Sequence, residues 1–394
     1  MNEHPEDEIS LTWPEIGSTD DVVIIGGRGH GLSTAYHLAT CHGITNVAVL
    51  EQNYIGGGNS GRNTTIIRAN YGIPESVRFY QRSIDLYARL EEETGRSIMR
   101  STKGLLWLAH TEAGVRREQA RAAVNRAFGA ETDFVSPAEI AQICPEIDLN
   151  AGDGQYPVLG ASYHVQAATA RHDRVVWSLA EGAQREGVEI HQRTQVLGLQ
   201  MEGDRVVGVQ TNRGSISAVT VVCAVGGHVT HIASMTGVRL LIRTHPLQAF
   251  VTNRYANSFE PIVASSDLLF YASQTARGQM LIGAEIDPQP SFSYRSGHDF
   301  LSPCSFRTIT VLPFLRDLRI MRQWTGVCDM PPDYSPIIGH TGVDGFLVTT
   351  GWGTWGFKGI PAGGEQLAEL IAPFALDRFA NDRTKADRGS AGTH

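Results

Sequence analysis

The succession of apolar and polar positions predicts a strand, a turn and a helix near the start of the chain. Asp21-Val22-Val23-Ile24-Ile25 is a β-branched run suited to a strand buried on both faces, and Leu32 to Ala39 has helical spacing. A second apolar strand, Val47 to Leu50, ends at Glu51 and completes a βαβ unit. After about residue 161 a helix, then strands over Val188 to Gln192, Val206 to Thr211 and Val219 to Val225, read as a return to the same unit. Phe346 to Thr350 is a further strand, followed by a helix from about Pro361 to Ile371. Between these parts, two stretches carry alternating strands such as Leu268 to Ser273 and Met280 to Ala284.

The expected fold class is therefore α/β plus α+β. A discontinuous, Rossmann-like βαβ domain comprises 20–99, 161–231 and 333–375. An α+β domain of mixed or antiparallel sheet comprises 100–160 and 232–332, and polar, aperiodic arms occupy 1–19 and 376–394. A length of 394 residues, with 42% hydrophobic and 19% charged residues, suits two globular domains. The net charge of −8 gives no electrostatic reason to bind nucleic acid or an anionic membrane. The opening MNEHPEDEIS is acidic and no apolar run approaches ~18 residues, so a cytoplasmic protein without a membrane segment is expected. Five cysteines, Cys41, Cys144, Cys223, Cys304 and Cys328, stand singly without metal-ligand spacing; they read as reduced core thiols, and no metal is expected.

Glycine clusters carry the chemistry. In the first, Gly26-Gly27-Arg28-Gly29-His30-Gly31, the outer glycines permit the tight turn and the close helix approach of a dinucleotide site. Arg28 stands where the pyrophosphate comes nearest. Either it pairs with the phosphates, flanked by Gly27 and Gly29, or its side chain blocks the site. Glu51, about twenty residues beyond Gly31, can accept hydrogen bonds from ribose hydroxyls. The second cluster, Gly56 to Arg62, is a loop that something must approach closely. The third, Gly351 to Gly359, feeds a helix whose N-terminal dipole can stabilise negative charge on a reduced flavin, which favours FAD over NAD.

Three segments, Gly26 to Leu32, Gly56 to Arg68 and Gly351 to Gly359, together resemble the β subunits of heterotetrameric sarcosine oxidases, in the D-amino-acid-oxidase-like flavoprotein group. Thr169-Ala170-Arg171-His172-Asp173 and His245-Pro246-Leu247-Gln248 extend the resemblance over about 20–370. The resemblance implies an FAD-binding and a substrate-binding domain and oxidation of an amine at noncovalent FAD. It further implies electrons passing to FMN and then oxygen, and partner subunits including a large α-type subunit near the FMN. His172 falls on the FMN-attachment position, where a helix N-terminus would keep its imidazole neutral and nucleophilic. Cofactor contacts are expected from the first cluster and Glu51, from Gly58, Asn59, Arg62, Asn63, Thr64 and Thr65, and from Gly226, Gly353, Gly356 and Phe357. Arg68 and Lys358 are the expected ligands of a substrate carboxylate, a fork and a point charge converging on one group.

Monomeric relatives attach FAD through a cysteine near the position of Gly326; here Cys328 is two residues away, so noncovalent FAD is expected. Trp352, Trp355 and Phe357 fit a packed core better than a subunit interface. A secondary or N-methylated amino acid such as sarcosine, dimethylglycine, proline or an opine-like amine fits equally, and so does more than one electron acceptor. A contrasting reading is a non-catalytic FMN-carrying scaffold whose FAD site Arg28 has impaired.

Overall fold

Strand β1 (Thr19–Ile25), helix α1 (Gly29–His42) and strand β2 (Val47–Leu50) form the expected βαβ unit, the strands pairing in parallel from Val22↔Val47 to Ile25↔Leu50. The structure is a computed structural model describing residues 11–389, with side chains described to Phe374. Side-chain alternation explains why both strands are apolar throughout. Val22, Ile24, Val47 and Val49 face a core shared with α1, whereas Val23, Ile25, Ala48 and Leu50 face a second core on the other side. Gly43, in the left-handed conformation at φ 66°, ends α1 by returning its N–H to Ala39 O.

Five strands run parallel in the order Phe346–Thr350, Gly214–Cys223, β1, β2, Glu189–His191. Antiparallel strands Val196–Glu202, Arg205–Thr211 and Ile337–His340 complete this eight-stranded sheet. A second eight-stranded sheet follows the order Ile320–Met330, Arg243–Arg254, Gln279–Ala284, Phe270–Gln274, Ile262–Ser265, Leu105–Ala109, Gly160–His164, Thr132–Val135. All its neighbours are antiparallel except Ile262–Ser265 beside Leu105–Ala109. A small sheet of Ile66–Ile67, Ala168–Thr169 and Ser101–Thr102 completes the set. The α/β plus α+β class expected from the pattern is the class observed.

Three local expectations need correction. Gly160–His164 lies in the mixed sheet, although its small residues Gly160, Ala161 and Ser162 conceal the strand in the sequence. The C-terminal helix continues past Ile371 as Ile360–Gly389, so the arm expected from 376 is helical to Gly389. No Gly or Pro interrupts residues 374–388, and extending an existing helix costs less than nucleating one. The N-terminal segment is pinned where it is described: Thr12 and Gln184 exchange two hydrogen bonds of 3.1 and 2.8 Å. Residues 1–10 and 390–394 lie outside the described residues. Cys144, Cys223, Cys304 and Cys328 are buried free thiols, whereas Cys41, near the end of α1, is exposed. No helix among the described residues is long and apolar enough to cross a membrane.

Candidate active site

The carboxyl ends of the parallel strands meet at one edge of the sheet, the position where open α/β sheets take their ligands. Leaving β1, the chain turns at Gly26 with φ 117°, where a Cβ would stand 2.5 Å from Ala224 O. Gly31 brings α1 onto that turn, since a Cβ there would stand 2.0 Å from Gly26 O. Arg28 offers no side-chain cap to α1, and Ser60 Oγ accepts the Gly29 N–H at 3.0 Å. Beyond β2, buried Glu51 accepts N–H groups from Gly27 at 3.2 Å and Asn53 at 3.0 Å. Its carboxylate also lies 3.4 Å from Arg28 Nε. The Arg28 guanidinium crosses over Gly58, where a Cβ would stand 2.1 Å from its carbon, and its buried Nε makes no hydrogen bond.

The second glycine loop is tied across to the mixed sheet. Asn59 accepts the Val327 N–H at 3.0 Å and donates back to Val327 O, while Trp324 Nε1 donates to Arg62 O at 2.7 Å. Arg62 closes the loop on itself by donating to Gly57 O and Gly58 O at 2.6 and 3.0 Å. Asn63 Oδ1 takes the N–H of Thr65, which sits at φ 60°, a strained setting for a β-branched residue. This turn sends Ile66–Ile67 into the small sheet and so fixes where Arg68 emerges.

A cavity of about 350 Å³ lies between the strand edge and the mixed sheet. Arg28, Gly29, His30, Asn59, Arg62, Asn63, Thr64, Thr65, Arg68, Gly226, Gly353, Gly356, Phe357 and Lys358 line it. Gly26, Gly27, Gly31, Gly58 and Glu51 support the turn without lining the cavity. His30 is half-buried with both ring nitrogens shielded, it stacks 3.9 Å from Trp352, and burial lowers its pKa to about 3, so its ring is neutral. Trp352 and Phe357 are buried and Trp355 half-buried, all against the cavity.

Arg68 and Lys358 are both buried. Arg68 Nη1 donates to Asn70 O at 3.2 Å and Asn70 Oδ1 at 2.9 Å, and its guanidinium lies 4.4 Å from the Tyr71 ring centroid and 4.7 Å from that of Trp107. Lys358 Nζ donates to Thr354 O at 3.2 Å. Burial first, and then the Arg68 charge, hold Lys358 well below an ordinary lysine pKa. Among the described residues no carboxylate forms an ion pair with either cation. Two buried basic side chains without a carboxylate partner therefore face one cavity and leave room for an anion.

Sequence reasoning missed Trp107, Tyr271, Glu285 and Asp329, which also line the cavity, as does Gln248, which entered only as part of the resemblance. Trp107 is hidden in the apolar strand Leu105–Ala109. Asp329 pins the third glycine loop by accepting from Thr350 Oγ1, Gly351 N and Trp352 N at 2.9, 2.7 and 3.3 Å. Burial raises its pKa against the pull of those donors. Cys328 is a buried wall residue, its thiol pushed up by burial. His172 is the first residue of helix His172–Arg185, half-buried and away from the cavity lining. Burial lowers its pKa, with Asp173 and Arg171 acting in opposite directions. One turn along, Val176 packs against Gly56. Among the described residues no group of three or more His, Cys, Asp or Glu side chains could hold a metal.

Residues 21–370 match the family model described as FAD dependent oxidoreductase. The chain belongs to this family. The sarcosine oxidase β subunit of Arthrobacter sp is 39% identical, covering 99% of this chain and 98% of its own. That of Rhodobacter capsulatus is 38% identical, covering 96% and 93%. Among solved structures, L-proline dehydrogenase from P. horikoshii superposes with a TM-score of 0.85 at 28% identity, covering 90% of this chain and 94% of its own. Glycine oxidase from Bacillus cereus, with a TM-score of 0.78 at 22% identity and coverages of 89% and 94%, shares the fold.

FAD fits the residues that this FAD-dependent oxidoreductase presents. The turn at Gly26 leaves backbone close approach, the α1 N-terminus lacks a side-chain cap from Arg28, and the buried Arg28 Nε lacks a hydrogen-bond partner. A diphosphate would suit those donors, and Glu51 stands at the end of β2, where dinucleotide sites of this kind place a ribose.

Proposed function

We propose that the chain is the amine-oxidising subunit of a hetero-oligomeric, cytoplasmic oxidase acting on a secondary or N-methylated amino acid such as sarcosine. The observation that carries the reading is the pair Arg68 and Lys358, buried at one cavity without a carboxylate partner among the described residues. Arg68 offers its fork and Lys358 its ammonium to the substrate carboxylate, which orients the carbon that loses hydrogen. Trp107, Tyr271, Trp355 and Phe357 exclude water around the amine. Bound FAD would supply the hydride acceptor for oxidation of the amine to an imine, and FMN and oxygen would supply the onward electron acceptors. Gly26, Gly27, Arg28, Gly29, His30, Gly31, Glu51, Gly58, Asn59, Arg62, Asn63, Thr64, Thr65, Gly226, Gly353, Gly356 and Phe357 are the proposed cofactor residues. Anaerobic mixing with sarcosine, dimethylglycine or proline should bleach the flavin absorbance, and a protein bleached by none of them contradicts the reading.

His172 is the proposed attachment point for FMN, and an α-type subunit is proposed to cover it. A neutral imidazole at a helix N-terminus supports this role. After acid precipitation of the co-expressed assembly, FAD should appear in the supernatant and FMN on a peptide containing His172. His172→Ala should abolish the bound FMN and spare the FAD; FMN surviving that substitution rules out the site.

Arg28 is proposed to serve the diphosphate rather than block it. Arg28→Gly should weaken FAD binding by ~1.5–3 kcal/mol, the worth of a charge-assisted hydrogen bond, and flatten its salt dependence. Tighter binding by the variant would instead favour the scaffold reading.

The lowered pKa of Lys358 also sets a pH dependence. Only the protonated amine pairs with a carboxylate, so binding takes up a proton above that pKa. Affinity should be flat below it and fall about tenfold per pH unit above it. Isothermal titration in buffers of different ionisation enthalpy measures the proton uptake, and an absence of uptake at every pH excludes Lys358 as the partner.

A further inference from the structure

Arg68 does not stand alone in its wall. Arg121, on helix Glu112–Ala127, donates Nη1 to Asn70 O at 3.3 Å, the same carbonyl that Arg68 Nη1 reaches at 3.2 Å. Both guanidiniums lie 4.7 Å from the Trp107 ring centroid. Trp107 is itself fixed, its Nε1 donating to Ser266 Oγ at 2.6 Å. Two like charges on one ring and one carbonyl would repel, and the fully buried Glu118 relieves this. Its carboxylate lies 2.9 Å from Arg121 Nε and also accepts from Ser162 Oγ at 2.7 Å. Glu118, which also pairs with Arg117 at 3.2 Å, thus offsets part of the Arg121 charge from behind, and Arg121 does not line the cavity, whereas Arg68 does.

The hydrogen bonds to Asn70 use only Nη1 of Arg68, and among the described residues the Nε and Nη2 edge carries no protein hydrogen bond. An edge of two parallel N–H groups is the geometry that takes a carboxylate in a bidentate way. The neighbouring backbone is also held, because neutral His164 accepts the Ala69 N–H at 3.2 Å through Nε2. Its pKa of about 4, lowered chiefly by burial, keeps that acceptor unprotonated.

We infer that Arg121, anchored by Glu118 and sharing Trp107 and Asn70 O with Arg68, is a positioning residue that presents the Nε–Nη2 edge of Arg68 to the substrate carboxylate. The inference rests on the proposed role of Arg68 as carboxylate ligand. Trp107 belongs to the same device, as the surface against which both guanidiniums are aligned. Arg121 contributes through alignment alone, so it should affect carboxylate recognition without affecting ligands that lack the charge.

The test uses the FAD-loaded protein with its co-expressed partners and reads perturbation of the flavin absorbance on titration with 2-methoxyacetate. This ether has the shape and carboxylate of sarcosine and no amine to oxidise; neutral 2-methoxyacetamide is the control. Arg121→Gln should weaken methoxyacetate at least tenfold and leave the amide unchanged, and Trp107→Phe, which keeps an aromatic wall, should shift binding in the same direction. The double variant Arg68→Lys, Arg121→Gln should bind no worse than Arg68→Lys alone. Wild-type affinity in both Arg121→Gln and Trp107→Phe, or fully additive losses in the double variant, overturns the inference while leaving Arg68 as the ligand. Wild-type affinity in Arg68→Lys overturns the reading of the site on which the inference stands.

Discussion

Lys358→Ala is expected to weaken binding of a carboxylate-bearing substrate by ~2–5 kcal/mol, roughly 30-fold to several-thousand-fold. The size of the loss follows from burial. Lys358 and Arg68 are both buried at one cavity, and with the ammonium removed one guanidinium must neutralise the carboxylate alone. Part of the loss is offset, because the variant no longer holds a buried amine whose charge Arg68 disfavours. Steady-state kinetics and titration with an unreactive carboxylate measure the change, and FAD content should stay at the wild-type level. Unchanged kinetics would refute the assignment. A loss of FAD with normal substrate affinity would mean that the lysine serves chiefly to hold the Thr354 carbonyl and its loop.

Gly31→Ala is expected to empty the protein of FAD. A Cβ at this position would stand 2.0 Å from Gly26 O and 3.2 Å from Ile24, so α1 and the turn must separate by more than an ångström. Such overpacking costs ~1–3 kcal/mol of stability, and here the displaced element carries the N–H groups proposed to hold the diphosphate. Gly43→Ala supplies the contrast. At φ 66° with open space around it, that substitution should cost about 1–2 kcal/mol through backbone strain and leave FAD in place. Flavin absorbance per chain and thermal unfolding separate the two effects. A Gly31→Ala protein that retains its full flavin would show that α1 can move back without losing its ligand.

Much of the fold was legible because its strands announce themselves. The β-branched runs at Val22–Ile25 and Val47–Leu50 are buried on both faces, and glycine follows where the turn has no room for Cβ. Arg68 and Lys358 were legible as candidates since each borders a glycine cluster, and the structure brings them to one cavity. Trp107 and Arg121 were not. Their partners are distant in the chain, Ser266 for the indole and Asn70 for the guanidinium, and no local period encodes such a meeting. Asp329 was hidden for the same reason, its donors lying 21 to 23 residues away. The strand Gly160–His164 escaped because small residues lack the apolar alternation by which half-buried strands are recognised.

Asn59 carries a consequence for how such a chain can diverge. Its side-chain amide reads both the N–H and the carbonyl of Val327, as a neighbouring strand residue would. Aspartate cannot donate, leucine can do neither, and glutamine has the same groups one methylene too far out. Ser60, Arg62 and Asn63 also hold backbone through their side chains, Ser60 at the Gly29 N–H and the other two within the loop, whereas the Asn59 amide reaches across to the mixed sheet. Mutational tolerance along this loop should therefore be uneven, with Asn59 its least replaceable letter even in descendants that have exchanged one amine for another.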